Sequence, residues 1–283
     1  MRPINIGLAQ FGSPPGDATI NRAASVDAAR ELFLDGANVV VLPELCVPWY
    51  ASARGELESV AETLDGPTVE AWTAIAAAHS GVVVGGLCER DGENLFNTAV
   101  AIDETGVIAH YRKLHLFASE KTCFTPGDRG LPVVSTPFGR LGLCICYDLR
   151  FVEVVRVLAL SDAEVICVPT AWLPGFDAAK WDSDGLCPQA HGALLQANLN
   201  QVFVACASQV GTFDGVEFLG SSVVADPFGK RVAGPLSGTQ DEREIVRIDL
   251  DETVRAQDRG SLIQPREDRR TDVYGIAYQG SHL

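Results

Sequence analysis

Three residues of the chain have the types and settings for acyl chemistry: Cys146, Glu44 and Lys113. Residues 141–151 read as an apolar strand that ends on Cys146 and passes at once into Tyr147, Asp148 and Arg150, a polar turn and a helix-like segment. A side chain at the carboxyl end of a buried strand, just ahead of a helix, is rigid, reachable and flanked by backbone N–H groups able to stabilise an oxyanion. The alternative for a cysteine in an apolar strand is inert core. Cys144, on the same strand face by alternation, is assigned to that core because nothing polar adjoins it.

A thiol with a pKa of about 8.5 is mostly protonated at neutral pH and needs a base or a nearby cation. His79, His110, His115, His191 and His282 bear no clear relation to the strand end. Glu44 closes the strand Val39–Pro43, so in an α/β sheet it emerges at the same carboxyl edge as Cys146. There it can take the thiol proton and return it to a leaving amine. Its alternative is a surface or capping carboxylate. Lys113 lies in the apolar frame 111–117, out of place unless paired, where an ammonium beside a carboxylate and a thiol would stabilise a tetrahedral oxyanion. The alternative there is a snorkelling surface lysine.

These positions rest on an alternating pattern. A strand over 4–9 is followed by a helix over about 18–35, the apolar strand 39–42, a helix over 68–79 opened by Pro67, and a strand over 82–87. Two hairpins come next, 98–102 with 107–111 and 133–136 with 141–146. A helix over 152–160, a strand over 165–168, a helix near 189–198 and strands over 202–208, 222–225 and 244–248 complete the pattern. The expected class is α/β, with mixed β-sheets covered by helices on one side. A four-layer α-β-β-α sandwich with two mixed β-sheets and a three-layer doubly wound fold suit it equally.

The 283 residues, 47% hydrophobic, carry no linker, repeat or low-complexity run, so a single domain over 1–283 is expected. A net charge of −15 argues against nucleic acid or an anionic membrane as partner and leaves a diffusible small molecule. No apolar stretch approaches the roughly 20 residues of a membrane span, and the first residues read as a strand rather than a signal peptide, so a cytoplasmic location is expected. The eight cysteines lack the spacing of a secreted disulfide framework. Cys144 and Cys146 offer two sulfurs for a metal or redox module, but no Cys-x-x-Cys pair or clustered histidines complete one.

Taken together, the motifs resemble the nitrilase superfamily of carbon–nitrogen hydrolases. Pro43-Glu44-Leu45 is similar to that family's glutamate motif, residues 111–116 to its lysine motif and residues 146–151 to its cysteine motif, in the family's order and spacing. Glu120 matches an accessory glutamate that orients the lysine, and residues 168–172 resemble the strand end lining the pocket. Residues 268–274 resemble the segment that ends the family domain, so the likeness runs from about 3 to 274. The resemblance implies the α-β-β-α sandwich, a homodimer or higher homo-oligomer, and no metal or organic cofactor. It makes Glu44, Lys113 and Cys146 catalytic, Glu120 accessory, and the backbone N–H of Tyr147 an oxyanion donor. Val152, where many relatives have proline, and Leu199, where many have an acidic residue, depart from the pattern.

Nitrile-hydrolysing members of that family usually follow the cysteine with Trp-Glu; Tyr147-Asp148 is the form of its amidases. The expected reaction is therefore hydrolysis of a small carboxamide through a thioester, with an N-carbamoyl hydrolase as the alternative and a nitrilase behind it. Substrate contacts are expected from Tyr50, Arg150, Thr170, Ala171 and Trp172. Loops around Trp49, 172–181 and 213–218 would set specificity, and Arg150 either holds a substrate carboxylate or forms a structural ion pair.

Overall fold

In the computed structural model, residues 1–51, 53–175 and 181–283 are described. The chain forms β1 (Pro3–Gln10), α1 (Ala18–Leu34), β2 (Val39–Val41), α2 (Arg54–Glu58), α3 (Pro67–His79), β3 (Val82–Asp91), β4 (Asn94–Asp103) and β5 (Gly106–Arg112). After α4 (Glu120–Cys123) come β6 (Val133–Thr136), β7 (Gly139–Leu143), a 3-10 turn over Cys146–Arg150, α5 (Val152–Leu160), β8 (Val165–Thr170), α6 (Pro188–Asn200) and β9 (Phe203–Ser208). A hairpin of β10 (Val210–Phe213) and β11 (Val216–Leu219) precedes β12 (Val223–Ala225), β13 (Arg231–Ala233), β14 (Glu242–Asp249) and α7 (Asp251–Gln257).

Two six-stranded sheets result, ordered β14-β1-β2-β3-β4-β5 and β13-β12-β9-β8-β7-β6. In each, three central strands run parallel, β1-β2-β3 and β7-β8-β9, and the outer strands pair antiparallel. Alternation along the strands decides the layers. Val39, Val41, Val82 and Val84 face one continuous core with Leu141, Leu143, Val165 and Cys167 of the second sheet. Val40, Val83 and Val100 face the other way, onto Ala28, Leu32, Trp72 and Ile75 of α1 and α3. The Trp72 indole donates to Ser25 Oγ at 2.9 Å and locks those two helices together. With α5 and α6 packed on the second sheet, the four-layer arrangement is the one formed, and the doubly wound alternative is not.

The local chemistry explains most boundaries. Asp17 caps α1 by accepting from Thr19 N at 2.8 Å, and Pro67 opens α3. One boundary departs from expectation in a way that matters. β7 ends at Leu143, so Cys146 is not in the strand; it opens the 3-10 turn with φ +45°, and strand alternation does not relate it to Cys144. The β10–β11 hairpin and the short helices α2, α4 and α7 are additional to the expected pattern.

Candidate active site

Glu44 is delivered by a strand that stops early. β2 spans only three residues, after which Leu42 N still bonds Val84 O at 2.8 Å, but Glu44 N turns to the carbonyl of Thr170 at the end of β8, 3.2 Å away. The residue therefore bridges the two sheets, rather than sharing one sheet edge with Cys146. Gly86 permits that crossing: a Cβ there would stand 2.6 Å from Leu45 N and 2.7 Å from Glu44 Cα. Leu45 follows with φ +44°, a left-handed conformation costly for a leucine, held by Gln209, whose amide donates to the Glu44 carbonyl at 2.8 Å.

Lys113 leaves the end of β5 and is fully buried, 1% exposed. Its Nζ donates to Glu44 Oε1 at 2.7 Å and to Glu120 Oε1 at 2.8 Å. Its carbonyl accepts from Gly127 N at 2.9 Å, an approach only glycine allows because a Cβ would sit 2.0 Å from the Arg112 carbonyl oxygen. Glu120, at the start of α4, also accepts from Tyr50 Oη at 2.8 Å and from Phe117 N at 3.0 Å. Asn97, on β4, grips both partners: its carbonyl takes Lys113 N at 2.8 Å and its amide donates to Glu44 Oε1 at 2.7 Å. Glu44 Oε1 thus has two donors, while Oε2 is buried without a partner among the described residues.

Burial acts on these charges first. It pushes the Glu44 carboxyl above the ordinary range, with the Lys113 charge opposing and the Glu120 charge assisting. For Lys113 burial pulls downward, but the two carboxylates outweigh it and the ammonium is held more firmly protonated than usual. The Cys146 thiol is raised well above its ordinary value by burial and the Glu44 charge, against a pull downward from Lys113 and from the Ala171 N–H that donates to the sulfur. Burial thus favours the thiol form of Cys146, and the Glu44 charge acts on it in the same direction.

The turn that bears Cys146 is held from behind by Asp148, completely buried. It accepts from Ile145 N at 3.0 Å, Tyr111 Oη at 2.7 Å and His115 N at 3.2 Å, and bonds His115 Nδ1 at 2.8 Å. The His115 ring stacks on Phe151, with centroids 3.6 Å apart. This histidine therefore belongs to the scaffold of the turn. Cys144 is fully buried in the core between the sheets.

A narrow cleft of about 40 Å³ opens onto Cys146. Tyr50, Glu120, Tyr147, Arg150, Ala171 and Trp172 line it, together with Phe117, Leu149, Leu173 and Gln189. Thr170 does not: its hydroxyl donates to Ala207 O at 3.1 Å and its carbonyl holds Glu44 N, so it positions the glutamate from below. Residues 176–180 of the expected 172–181 loop lie outside the described residues. Phe218 is buried edge-on against Tyr50, 5.7 Å between centroids. Among the described residues no group of three or more His, Cys, Asp or Glu side chains is placed to hold a metal ion, and no helix is long and apolar enough to cross a membrane.

A sulfur at the base of a cleft, backed by a carboxylate and an ammonium, is equipped for attack on a carbonyl. The profile of the carbon-nitrogen hydrolase family matches residues 5–258. The chain belongs to that family. A protein of Pyrococcus abyssi named nitrilase is 34% identical over 87% of this chain and 89% of its own length. An (R)-stereoselective amidase of Pseudomonas sp. is 30% identical over 90% and 88%, and the chloroplastic omega-amidase of Arabidopsis thaliana 30% identical over 96% and 74%. The amidase of Nesterenkonia sp. AN1, solved with acrylamide added at its active site cysteine, superposes with a TM-score of 0.75 at 27% identity, covering 95% of this chain and 98% of that one. This carbon–nitrogen hydrolase has the two-sheet α/β fold of those amidase structures.

Sequence reasoning missed Asn97, Gly86 and the Asp148–His115–Tyr111 brace. The signals were there: a glycine pair inside an apolar strand marks close backbone approach, and an asparagine buried in a strand must find partners.

Proposed function

We propose that this enzyme hydrolyses small linear carboxamides to carboxylate and ammonia through a thioester on Cys146. The observation that carries the reading is the Lys113 ammonium bonded to both Glu44 and Glu120 beside the cleft that contains the cysteine. Glu44 takes the thiol proton, for which Oε2 has no competing partner. The thiolate attacks the carbonyl, and Lys113 with the backbone N–H of Tyr147 holds the oxyanion. Ammonia leaves with the proton from Glu44, which next activates the water that cleaves the thioester; Glu120 keeps Lys113 oriented. Relatives named amidase and omega-amidase, and Tyr147-Asp148 after the nucleophile, favour amides over nitriles.

The test is ammonia release from a panel of aliphatic amides, ω-amides, N-carbamoyl amino acids and nitriles. Wild type and Cys144→Ala should turn over amides, and Cys146→Ala should be folded and inactive; equal loss in both variants defeats the assignment. Carbon dioxide accompanying the ammonia would point to the N-carbamoyl reaction instead. In the same reading the chain is one catalytic domain, its two sheets sharing a core. It works in the cytoplasm, where all eight cysteines stay free thiols. It pairs into a homodimer or larger homo-oligomer through the outer face of α5 and α6, where Val152, Leu195 and Leu199 are exposed; sedimentation of wild type and Leu199→Glu tests the pairing.

A further inference from the structure

Resting on the role which the amide-hydrolase reading gives Lys113, we propose that the buried Glu89–Arg112 pair is a register lock for β5, a pair of positioning residues that places Lys113, rather than its neighbour Arg112, between Glu44 and Glu120. Two cations stand side by side where β5 ends, and strand alternation sends them to opposite faces. A shift of one residue would exchange them. Among the described residues β5 lies at the edge of its sheet and pairs with β4 alone. Its register also changes between Ala101 and Ile102, a bulge ahead of the segment that carries the lysine. Ladder bonds to one neighbour, interrupted by a bulge, constrain the register less than pairing on both sides does.

The helix-covered face of the sheet supplies the missing constraint. Thr98 stands opposite both Leu87 and Arg112, and Phe96 opposite Glu89, so Glu89, Phe96, Thr98 and Arg112 share that face with Leu87. Glu89 and Arg112 are each 2% exposed. The Arg112 Nε donates to the two Glu89 oxygens at 3.1 and 3.2 Å, Nη2 to Asp91 Oδ2 at 2.7 Å and Nη1 to Asp128 Oδ1 at 3.0 Å. Its guanidinium covers the Phe96 ring, 3.7 Å from the centroid. Thr98 Oγ1 donates to Glu89 at 2.6 Å, and His110 Nε2 lies 2.8 Å from the same oxygen. Behind this network, Asn97 and Lys113 meet on the face turned to the second sheet. A buried ion pair adds little net stability compared with apolar residues of similar volume, whereas its geometry admits one register. With β5 slipped by one residue, a lysine would meet Glu89, and an ammonium lacks the planar fork that spans three carboxylates. The turn 126–128 completes the grip: Gly127 holds the Lys113 carbonyl while Asp128 holds the Arg112 side chain.

The experiment compares wild type with the double variant Glu89→Leu/Arg112→Leu, in which opposite charges leave together and the net charge is unchanged. Ammonia release from acetamide and propionamide gives kcat and KM, and thermal melting reports folding. Labelling of Cys146 by iodoacetamide across pH, followed by mass spectrometry, gives the reactivity of the thiol. In the double variant kcat should fall about ten- to a hundredfold with KM within about twofold, the scale of a small displacement inside an active site. Labelling should slow, its pH dependence moving upward by about one unit, because the Lys113 charge that pulls the Cys146 thiol downward no longer stands in place. A pair that served stability alone would leave that profile where it is. Arg112→Lys keeps a buried cation without the fork and should move both readings the same way by less; it carries the comparison if the double variant does not fold. Wild-type kcat, or an unmoved labelling profile, in the folded variants would overturn the lock. Failure of wild type to release ammonia from any carboxamide would defeat the amide reading instead, and the labelling, which needs no substrate, would still decide this inference.

Discussion

Replacing Asn97 by leucine should shift the pH dependence of turnover, not only its size. The Asn97 amide donates to Glu44 Oε1 at 2.7 Å, while its grip on Lys113 runs through a backbone carbonyl that any residue supplies. Asn97→Leu therefore removes one hydrogen bond to the base and leaves the lysine's backbone anchored. A hydrogen bond to a charged group contributes roughly 1.5–3 kcal/mol, and because this one favours the ionised form, its loss raises the carboxyl by about one to two pKa units. The Glu44 carboxyl already sits above its ordinary range because of burial. In the proposed mechanism, below its pKa it is protonated and cannot accept the Cys146 proton, so activity should fall as pH drops through that value. The acid limb of kcat/KM, which reports the free enzyme and belongs to the coupled Glu44–Lys113–Glu120–Cys146 cluster, should move upward by about one unit or more. Initial rates of ammonia release across the pH range in which both proteins stay folded provide the measurement. A uniform loss of rate with the limb unmoved would mean Asn97 acts only through packing, and the reasoning fails.

Gly86→Ala should impair kcat more than KM and destabilise the fold by about 1–3 kcal/mol, since the new Cβ would press on the Glu44 backbone; unchanged kinetics with normal stability would disprove that role. Asp148→Asn should lower kcat and cost about 1–3 kcal/mol, because an amide cannot accept from Ile145, Tyr111 and His115 together; denaturant titration and steady-state rates read both. Glu89 is buried, which alone would raise its carboxyl, but His110, Arg112 and Thr98 hold it down to about 2. A carboxyl depressed in the folded state contributes stability above its unfolded pKa and loses it as pH falls toward the folded one. Wild type should thus lose on the order of 3 kcal/mol between about pH 4.5 and pH 2 from this group. Glu89→Gln should flatten that part of the stability–pH curve, and an identical decline in both proteins would contradict it.

The sequence made the strands legible because their burial is uniform: runs such as 39–41 and 165–168 are apolar on both faces, as strands between a sheet and a helix must be. The triad was legible for a different reason, since a lysine or glutamate inside an apolar frame has to be compensated. What could not be read was the partnership across layers. Glu44 was placed on one sheet edge with Cys146, whereas the chain lifts it off β2 toward β8 by a hydrogen bond to Thr170. That step depends on Gly86, forty-two residues away, having no side chain. The end of β7 was set three residues too late because Cys144 and Ile145 remain fully buried after the ladder stops, and apolarity reports burial rather than hydrogen bonding. Thr170 looked like a pocket residue by its place at a strand end, but its hydroxyl turns to the Ala207 carbonyl.

β14 runs antiparallel along the full length of β1, from Pro3 opposite Asp249 to Gln10 opposite Glu242. A chain emerging from the ribosome makes its first strand early but must wait for residue 249 before that strand has its outer neighbour, and the layer bearing Glu44 and Lys113 cannot be finished sooner. The sulfur arrives on the other layer in between. In the proposed mechanism, a polypeptide that stops short of residue 249 should therefore hold Cys146 without the completed layer that carries Glu44 and Lys113.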